Sequence, residues 1–296
     1  MAKAYRTKAK VDVYQIVTDR IIKALEEGTI PWQKPWSVQG VRPANFVSKR
    51  PYHGINTFLL GMSPYTSPYW LTYKQAENIG AQVRRGEKGS IVVYWNFFES
   101  EKVMDNGEVE KKTIPFLKYF TVFNIEQCDN IEIPKNENEG KVFNPIEEAE
   151  MVVTNYSDKP KIDELLSDRA YYAPATDHIV VPKRENFDSE ESFYATLFHE
   201  MIHSTGHESR LNRVFGSGFG TEQYSKEELI AEMGSAFLCN HVGILPNVEE
   251  NTSSYIASWL RVLKNDKRFV VSAAGMAEKA TEYILGNKEE EGEDNE

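Results

Sequence analysis

Hydrophobic residues recur at helical spacing near the start of the chain. In the segment 12–27 they occupy positions 13, 16, 17, 21, 22 and 25, which predicts an amphipathic helix ended by Gly28. Residues 72–80 predict a second, shorter helix that also ends at a glycine. Two runs rich in aromatic and β-branched residues, 90–98 and 116–125, are typical of strands, and the Asp-Asn-Gly between them predicts a hairpin. These elements indicate an α+β unit.

The second half of the chain is predicted to contain more helix. Apolar positions 193, 197 and 202 predict a helix that starts near residues 188–189 and that Gly206 ends. A second helix is predicted over 224–238, and residues 170–182 predict an extended segment with a hairpin.

A stretch with few large apolar residues separates the two groups of elements. Residues 129–147 are rich in Asn, Glu, Pro and Gly, which favours a linker there. We therefore predict an α+β fold with two domains, 1–133 and 145–286, joined by a linker at 134–144. The acidic residues 287–296 are predicted to form a disordered tail.

Composition narrows the class of protein. The chain has 296 residues, 41% hydrophobic and 27% charged, which excludes a collagen, a disulfide scaffold and a wholly disordered chain. Its two cysteines lie far apart in sequence, which favours buried, reduced thiols and a cytoplasmic location. We expect no signal peptide and no membrane partner, because the basic start precedes no apolar run and no stretch is long enough to span a bilayer.

Charge divides unevenly between the two halves. The net charge is −11, but residues 1–130 carry +5 and residues 131–296 carry −16. This asymmetry indicates two units with different partners.

Aromatic residues alternate with cations in the first half, for example in Pro-Trp-Gln-Lys-Pro-Trp at 31–36. Single-stranded nucleic acid is bound by this pairing of residue types, because rings stack on unpaired bases and cations contact phosphates. The opposing interpretation is that about half of these rings belong to the core. The candidate DNA-binding residues are Trp32, Lys34, Trp36, Lys49, Arg50, Tyr52, Asn56, Trp70, Lys74, Arg84, Arg85, Lys88 and Trp95.

The segment His-Glu-Met-Ile-His at 199–203 predicts a metal site. On a helix, His199 and His203 lie one turn apart on one face, so that both imidazoles can bind one Zn²⁺; Mn²⁺ or Co²⁺ could occupy the same site. Glu200 is then placed to act as general base toward a water on the metal.

A catalytic zinc site needs a third protein ligand. Ser209 stands where the metzincin pattern requires a histidine, so that class is excluded. Glu228 is the favoured ligand, which would make the site gluzincin-like, with Glu232 or His207 as alternatives. Whichever of the two carboxylates does not bind could accept a hydrogen bond from a ligand histidine. Glu228 could instead belong to a capping box with Ser225.

Two further groups upstream are expected to be structural. The histidine at 178 is more typical of a structural residue than of a ligand. One of the tyrosines at 171 and 172 could stabilise an oxyanion, although packing is the simpler role for both.

With both halves considered, the chain resembles the ArdC-type antirestriction proteins encoded on conjugative plasmids. In the first half the resemblance rests on the motif at 31–36, on Tyr-His-Gly-Ile-Asn at 52–56, and on the segments 69–76, 84–95 and 119–124. In the second half it rests on the segments 199–207 and 227–238. The resemblance implies a single-stranded-DNA-binding domain, similar to one found with plasmid primases, and a zincin-type metallopeptidase domain. By position, His199, His203 and Glu228 match the metal ligands and Glu200 the base.

The function implied is protection of incoming conjugative DNA against host restriction, in the cytoplasm of the recipient cell. The partners would be single-stranded DNA and an unidentified protein substrate, for which a host restriction component is one candidate. The alternative is a non-catalytic protein that coats single-stranded DNA, with an inactive zincin domain stabilised by metal. A third interpretation is a cytoplasmic peptidase with no role in nucleic-acid binding.

Overall fold

The computed structural model describes residues 11–33, 41–103, 109–134, 144–215, 221–245 and 252–287. The helices in these ranges are α1 Val13–Glu26, α2 Ile55–Gly61, α3 Tyr73–Asn78, α4 Pro145–Asn155, α5 Glu190–Ser204, α6 Glu222–His241, α7 Thr252–Asn265 and α8 Phe269–Leu285. The strands are β1 Ala44–Asn45, β2 Tyr69–Thr72, β3 Gln82–Val83, β4 Ser90–Val103, β5 Val109–Asn124, β6 Cys128–Asp129, β7 Lys161–Leu165, β8 Tyr171–Ala173 and β9 His178–Pro182. The predicted α+β class is confirmed.

Local sequence determines where the first helices begin. The Asp12 side chain accepts a hydrogen bond from the backbone N–H of Gln15 and caps α1. Thr72 and Gln75 form a capping box at the start of α3. Both predicted helices of the first half are therefore present, within one or two residues of the predicted ends.

The first sheet has the strand order β1-β2-β5-β4. Strands β4 and β5 pair antiparallel from Ser90 opposite Val122 to Val103 opposite Val109, which confirms the predicted hairpin. The buried side chain of Asn56 holds β4 from α2, since its amide donates to the carbonyl of Val93 and its oxygen accepts from the Val93 N–H. The hairpin is thus anchored at one end to a buried helix.

The second half builds a three-stranded sheet in the order β7-β9-β8. Strand β9 lies in the centre, parallel to β7 and antiparallel to β8, which leaves β8 at one edge. Helix α5 packs against β8 and β9 on one side and against α6 and α8 on the other. This arrangement places α5, the helix with the histidine pair, in the middle of the second half.

One hydrophobic core includes residues from both halves. The ring of Trp32 meets that of Trp259 in α7, with centroids 5.2 Å apart, and the ring of Phe58 in α2 lies 4.9 Å from Phe237 in α6. The predicted domain division stays a prediction, but these contacts show that the halves do not pack independently. Most of the predicted linker, 135–143, and of the acidic tail, 288–296, lies outside the described residues.

Both cysteines, Cys128 and Cys239, are unpaired and buried, as the composition predicts. Among the described helices, none combines the length and apolar character needed to cross a membrane.

Candidate metal centre and nucleic-acid surface

Helices α5 and α6 approach each other closely at the histidine pair. A side chain at Gly234 in α6 would lie 2.7 Å from a methyl carbon of Ile202 in α5, so only a glycine permits this spacing. Ser189 caps α5 and Thr221 caps α6. Because α6 begins before Ser225, the proposed capping box with Glu228 is absent, and Glu228 points into the space between the two helices.

Three side chains converge between these helices. The Nε2 atoms of His199 and His203 lie 3.1 Å apart, and the two carboxylate oxygens of Glu228 lie 3.5 and 3.4 Å from them. Tetrahedral zinc with ligand distances near 2.05 Å requires donor atoms about 3.3–3.4 Å apart. All three residues are largely buried, and two imidazoles with one carboxylate are a donor set that suits divalent transition metals. The residues present therefore fit a divalent cation.

The far nitrogen of each histidine faces another carboxylate. Oε1 of Glu227 lies 3.4 Å from Nδ1 of His203, and Glu227 also accepts hydrogen bonds from the guanidinium of the buried Arg213 at 2.7 and 3.2 Å. Oε1 of Glu232 lies 3.8 Å from Nδ1 of His199, beyond hydrogen-bond range. Glu227 and Arg213 are absent from the sequence prediction. Glu227 directly precedes the predicted ligand Glu228 in the sequence. This Glu-Glu pair is the signal from which a second carboxylate at the site could have been predicted.

The imidazoles and carboxylates of the cluster shift one another's pKa values. Burial alone would lower the pKa of the His199 imidazole, but the Glu228 carboxylate outweighs burial and raises that pKa to about 9. Burial would likewise lower the pKa of His203, yet the carboxylates of Glu228 and Glu227 hold it well above its ordinary value. Conversely, burial would raise the pKa of Glu228, and the two imidazoles hold it far below its ordinary value. The site thus favours positive charge between these groups, which a cation would also supply.

The remaining predicted residues of this site take different places. Glu200 is buried beside His199 on α5, and its negative charge acts on both imidazoles. His207 lies past the end of α5, where its Nδ1 is 2.8 Å from the hydroxyl of Ser209, and it is not part of the ligand cluster.

Two of the upstream residues, Tyr172 and His178, make contacts within the fold. The hydroxyl of Tyr172 donates to Asp177 at 2.8 Å, and Asp177 also pairs with the buried Arg210. Nε2 of His178 lies 3.0 Å from Asp163 of the neighbouring strand. This network ties the end of α5 to the sheet.

Four predicted DNA contacts lie in the core. Trp32, Tyr52, Asn56 and Trp70 are all buried, so the prediction that they contact DNA needs correction. The physical reason is that each has internal partners. The two tryptophans pack on aromatic rings, Tyr52 is buried in one cluster with Trp70, and Asn56 bonds the backbone of β4. Lys34 and Trp36 lie outside the described residues. Seven predicted residues are exposed, namely Lys49, Arg50, Lys74, Arg84, Arg85, Lys88 and Trp95.

The motif Tyr-His-Gly-Ile-Asn contacts helix α8 of the second half. The buried carboxylate of Glu278 in α8 accepts from the Gly54 N–H at 2.7 Å and from Arg42 at 2.6 Å, and lies 3.0 Å from Nδ1 of His53. Gly54 has φ +55°, a conformation that a side chain would strain. No sequence pattern indicates that His53 and Gly54 contact Glu278, because that helix lies more than 220 residues further along the chain.

Two protein families match separate parts of the chain. Residues 11–123 match the N-terminal domain of the anti-restriction factor ArdC, and residues 147–276 match a zincin-like metallopeptidase family.

The relatives found by sequence differ greatly in length. Two Escherichia coli proteins named DNA primase TraC are each 37% identical over 93% and 94% of this chain, which spans only 20% and 27% of their lengths. The protein y4eC of Sinorhizobium fredii is 31% identical over 92% of this chain and 91% of its own length.

Two solved structures are similar along nearly the whole chain. Both are the antirestriction protein ArdC of plasmid R388. The metal-free form has 39% identity and a TM-score of 0.76 and covers 94% of this chain and 98% of its own. The Mn(II)-bound form has 38% identity and the same TM-score, and covers 95% and 100%.

Proposed function

The chain belongs to the ArdC family of antirestriction proteins, and from that premise we propose that it binds single-stranded DNA and hydrolyses a protein with a divalent metal. The observation that carries the catalytic part is the cluster of His199, His203 and Glu228 with Glu200 on the same helix. This combination of two imidazoles, one carboxylate and an adjacent buried carboxylate is the constellation of a zincin-like hydrolase.

We propose Zn²⁺ as the metal, held by the two Nε2 atoms and the carboxylate of Glu228. Mn²⁺ and Co²⁺ are alternatives, and the similar R388 protein has been solved with Mn(II). A divalent cation here would polarise a substrate carbonyl and acidify water. The Glu200 carboxylate would accept the proton of the attacking water and return it to the leaving amine. Glu227 would hold the ring of His203 in the binding orientation through its contact with Nδ1.

The edge position of strand β8 favours a polypeptide as the substrate. It lies at the border of its sheet and packs on α5, so an extended peptide could add to its outer side by backbone hydrogen bonds. The substrate protein is unidentified, and a host restriction component is one candidate.

We propose that exposed side chains of the first half, cations among them, bind single-stranded DNA. The family supports this partner, as does the charge of +5 on residues 1–130 against −16 on the remainder. The biological role would be protection of incoming conjugative DNA in the recipient cytoplasm.

Two variants test the catalytic proposal together. In Glu200→Gln we expect metal affinity to stay within a fewfold and antirestriction in a mating assay to be lost, because the proton acceptor is gone. In Glu228→Ala we expect metal affinity to fall by more than the roughly 10–100-fold typical of outer carboxylates. Glu232→Ala, four residues along the same helix, is the matched control and should retain binding.

Isothermal titration with Zn²⁺ and Mn²⁺ measures the affinities. If Glu200→Gln keeps both metal and full antirestriction, the protein acts by coating DNA and its zincin domain is catalytically inactive. If Glu232→Ala abolishes binding while Glu228→Ala does not, the ligand assignment is wrong.

A further inference from the structure

Exposed aromatic rings concentrate on the hairpin of β4 and β5. In the described part of the chain, six Phe, Tyr or Trp side chains are classed as exposed, and four of them lie on this hairpin. These four, Tyr94, Trp95, Tyr119 and Phe120, are 43–50% exposed. Large rings are seldom left in water in such a group without a binding partner.

Strand pairing assigns the rings to two faces. Residues directly opposite each other lie on the same side of a sheet, and successive residues alternate. Tyr94 is opposite Lys118, so Tyr94 shares a face with Lys118 and, two residues to either side, with Phe116 and Phe120. Trp95 is opposite Leu117 and therefore lies on the other face. We call Tyr94, Phe116, Lys118 and Phe120 the hairpin face.

The opposite face is partly used by the fold. Leu117 and Val93 are buried in the main core, and the ring of Trp95 meets that of Tyr14 in α1, with centroids 6.1 Å apart. That face therefore serves in part to attach the hairpin to α1.

The hairpin face combines rings with a cation. The rings of Tyr94 and Phe120 lie 5.6 Å apart at 75°, and Nζ of Lys118 lies 5.6 Å from the centre of the Phe116 ring. Along β5 the order is therefore ring, cation, ring, with about 13 Å between Phe116 and Phe120. That distance leaves room for bases on the rings and a phosphate at the cation between them.

Charge also favours a polyanion. The hairpin segments 90–96 and 116–124 contain one lysine and no Asp or Glu, in a chain whose net charge is −11. The single lysine would attract a phosphate, and no carboxylate in these segments would repel it.

The base of the hairpin face is firmly held. Val92 and Val122 continue the same face inward and are buried with Trp70, Tyr52 and Leu60. The exposed rings therefore stand on a packed sheet, which lowers the entropic cost of binding.

We propose that the hairpin face is the base-stacking surface for single-stranded DNA. This inference rests on the proposed DNA-binding function and assigns it to particular residues. It differs from the sequence prediction, which selected Trp95 from this hairpin. Stacking on Tyr94 and Phe120 would accept any base, because every base has an aromatic face.

The experiment measures binding of fluorescein-labelled oligo(dT) to the full chain by anisotropy. Tyr94→Ala and Phe120→Ala should each weaken binding about 5- to 150-fold, the usual effect of losing one stacking ring. Tyr94→Phe, which keeps the ring, should restore affinity. Lys118→Gln should reduce the dependence of log affinity on log salt by about 0.7, the loss of one phosphate contact.

Trp95→Ala and Tyr119→Ala are matched controls, equally exposed on the opposite face of the same strands. They should change affinity less than threefold, and thermal melting checks that every variant is folded. If the wild-type chain does not bind oligo(dT), the proposed DNA-binding function fails. If it binds and only the controls lose affinity, or none does, the function stands and the hairpin face is wrong. Loss of a dimer in the Tyr94 and Phe120 variants, without loss of DNA binding, would identify a second copy as the occupant.

Discussion

The metal centre between α5 and α6 buries charged groups, whereas the hairpin of β4 and β5 exposes aromatic ones. In the first region Glu227, Glu228 and Arg213 are removed from water. In the second, four rings are 43–50% exposed, although Val92 and Val122 of the same strands are buried. The two regions depart from ordinary burial in opposite directions.

Each departure from ordinary burial lowers the stability of the fold, and each is offset in a different way. Buried carboxylates are tolerated because imidazoles, a guanidinium and, in the proposal, a cation balance their charge. In the proposal, the bases of single-stranded DNA would cover the exposed rings. In both regions the departure from ordinary burial, together with the residue types, motivates the proposed function.

The contrast between buried and exposed rings would fail if buried rings also bound DNA. Substitution of Trp32 tests this, and it is expected to change the free energy of unfolding more than any other variant. Trp32 is fully buried against Trp259 and Phe58. Trp32→Ala should lower the free energy of unfolding by about 3–5 kcal/mol, because it leaves a cavity where the two halves meet. Urea denaturation measures the loss.

The milder Trp32→Phe separates stability from binding. It should fold and bind oligo(dT) as the wild type does, since no DNA can reach this position. A stable Trp32→Phe protein with much weaker DNA binding would return Trp32 to the interface and remove the contrast between the core and the hairpin.

The second prediction sharpens the metal side of the comparison. Glu227→Gln removes the charge that faces His203 and leaves the guanidinium of Arg213 buried without its carboxylate. Metal affinity should fall about 10–100-fold, as for other carboxylates that orient a ligand histidine. Isothermal titration with Zn²⁺ gives the value.

Glu222→Gln is the matched control, because Glu222 lies in the first turn of the same helix and its exposed side chain pairs with Lys226. Its metal affinity should match that of the wild type. Equal losses in both variants would mean that helix α6 responds to charge in general and not through His203.

The same contrast explains what the sequence could predict. His199 and His203 were predicted together because helical periodicity alone places them on one face. Glu228 had to be chosen among alternatives, because its position depends on how closely Gly234 lets α6 approach α5. The burial of Trp32 and Trp70 has no local signal, because Trp32 packs on Trp259 of α7 and Trp70 is buried with Val92 and Val122 of β4 and β5. Sequence therefore predicts a site within one helix better than a surface assembled from several elements.

The smallest predicted effect concerns His53, which lies between the predicted DNA contacts Tyr52 and Asn56. The carboxylate of Glu278 raises the pKa of His53 above its ordinary 6.5, against the opposing effects of burial and of Arg42. Protonated His53 therefore stabilises the folded state in full below about pH 6.5, and this contribution is lost as pH rises through the raised pKa. Because 59% of the His53 side chain is exposed, we expect less than about 1 kcal/mol.

A double-mutant cycle measures the interaction energy of His53 with Glu278. His53→Gln, Glu278→Gln and the double variant, compared with the wild type by urea denaturation, give the coupling energy of the pair. Coupling should be favourable near pH 6 and vanish near pH 9, because the neutral imidazole no longer attracts the carboxylate. Coupling that grows with pH would contradict the assignment. If His53→Gln leaves the oligo(dT) affinity unchanged, this motif lies at the junction of the halves and apart from the DNA surface. A large loss of affinity would instead show that the junction and the hairpin face act as one site.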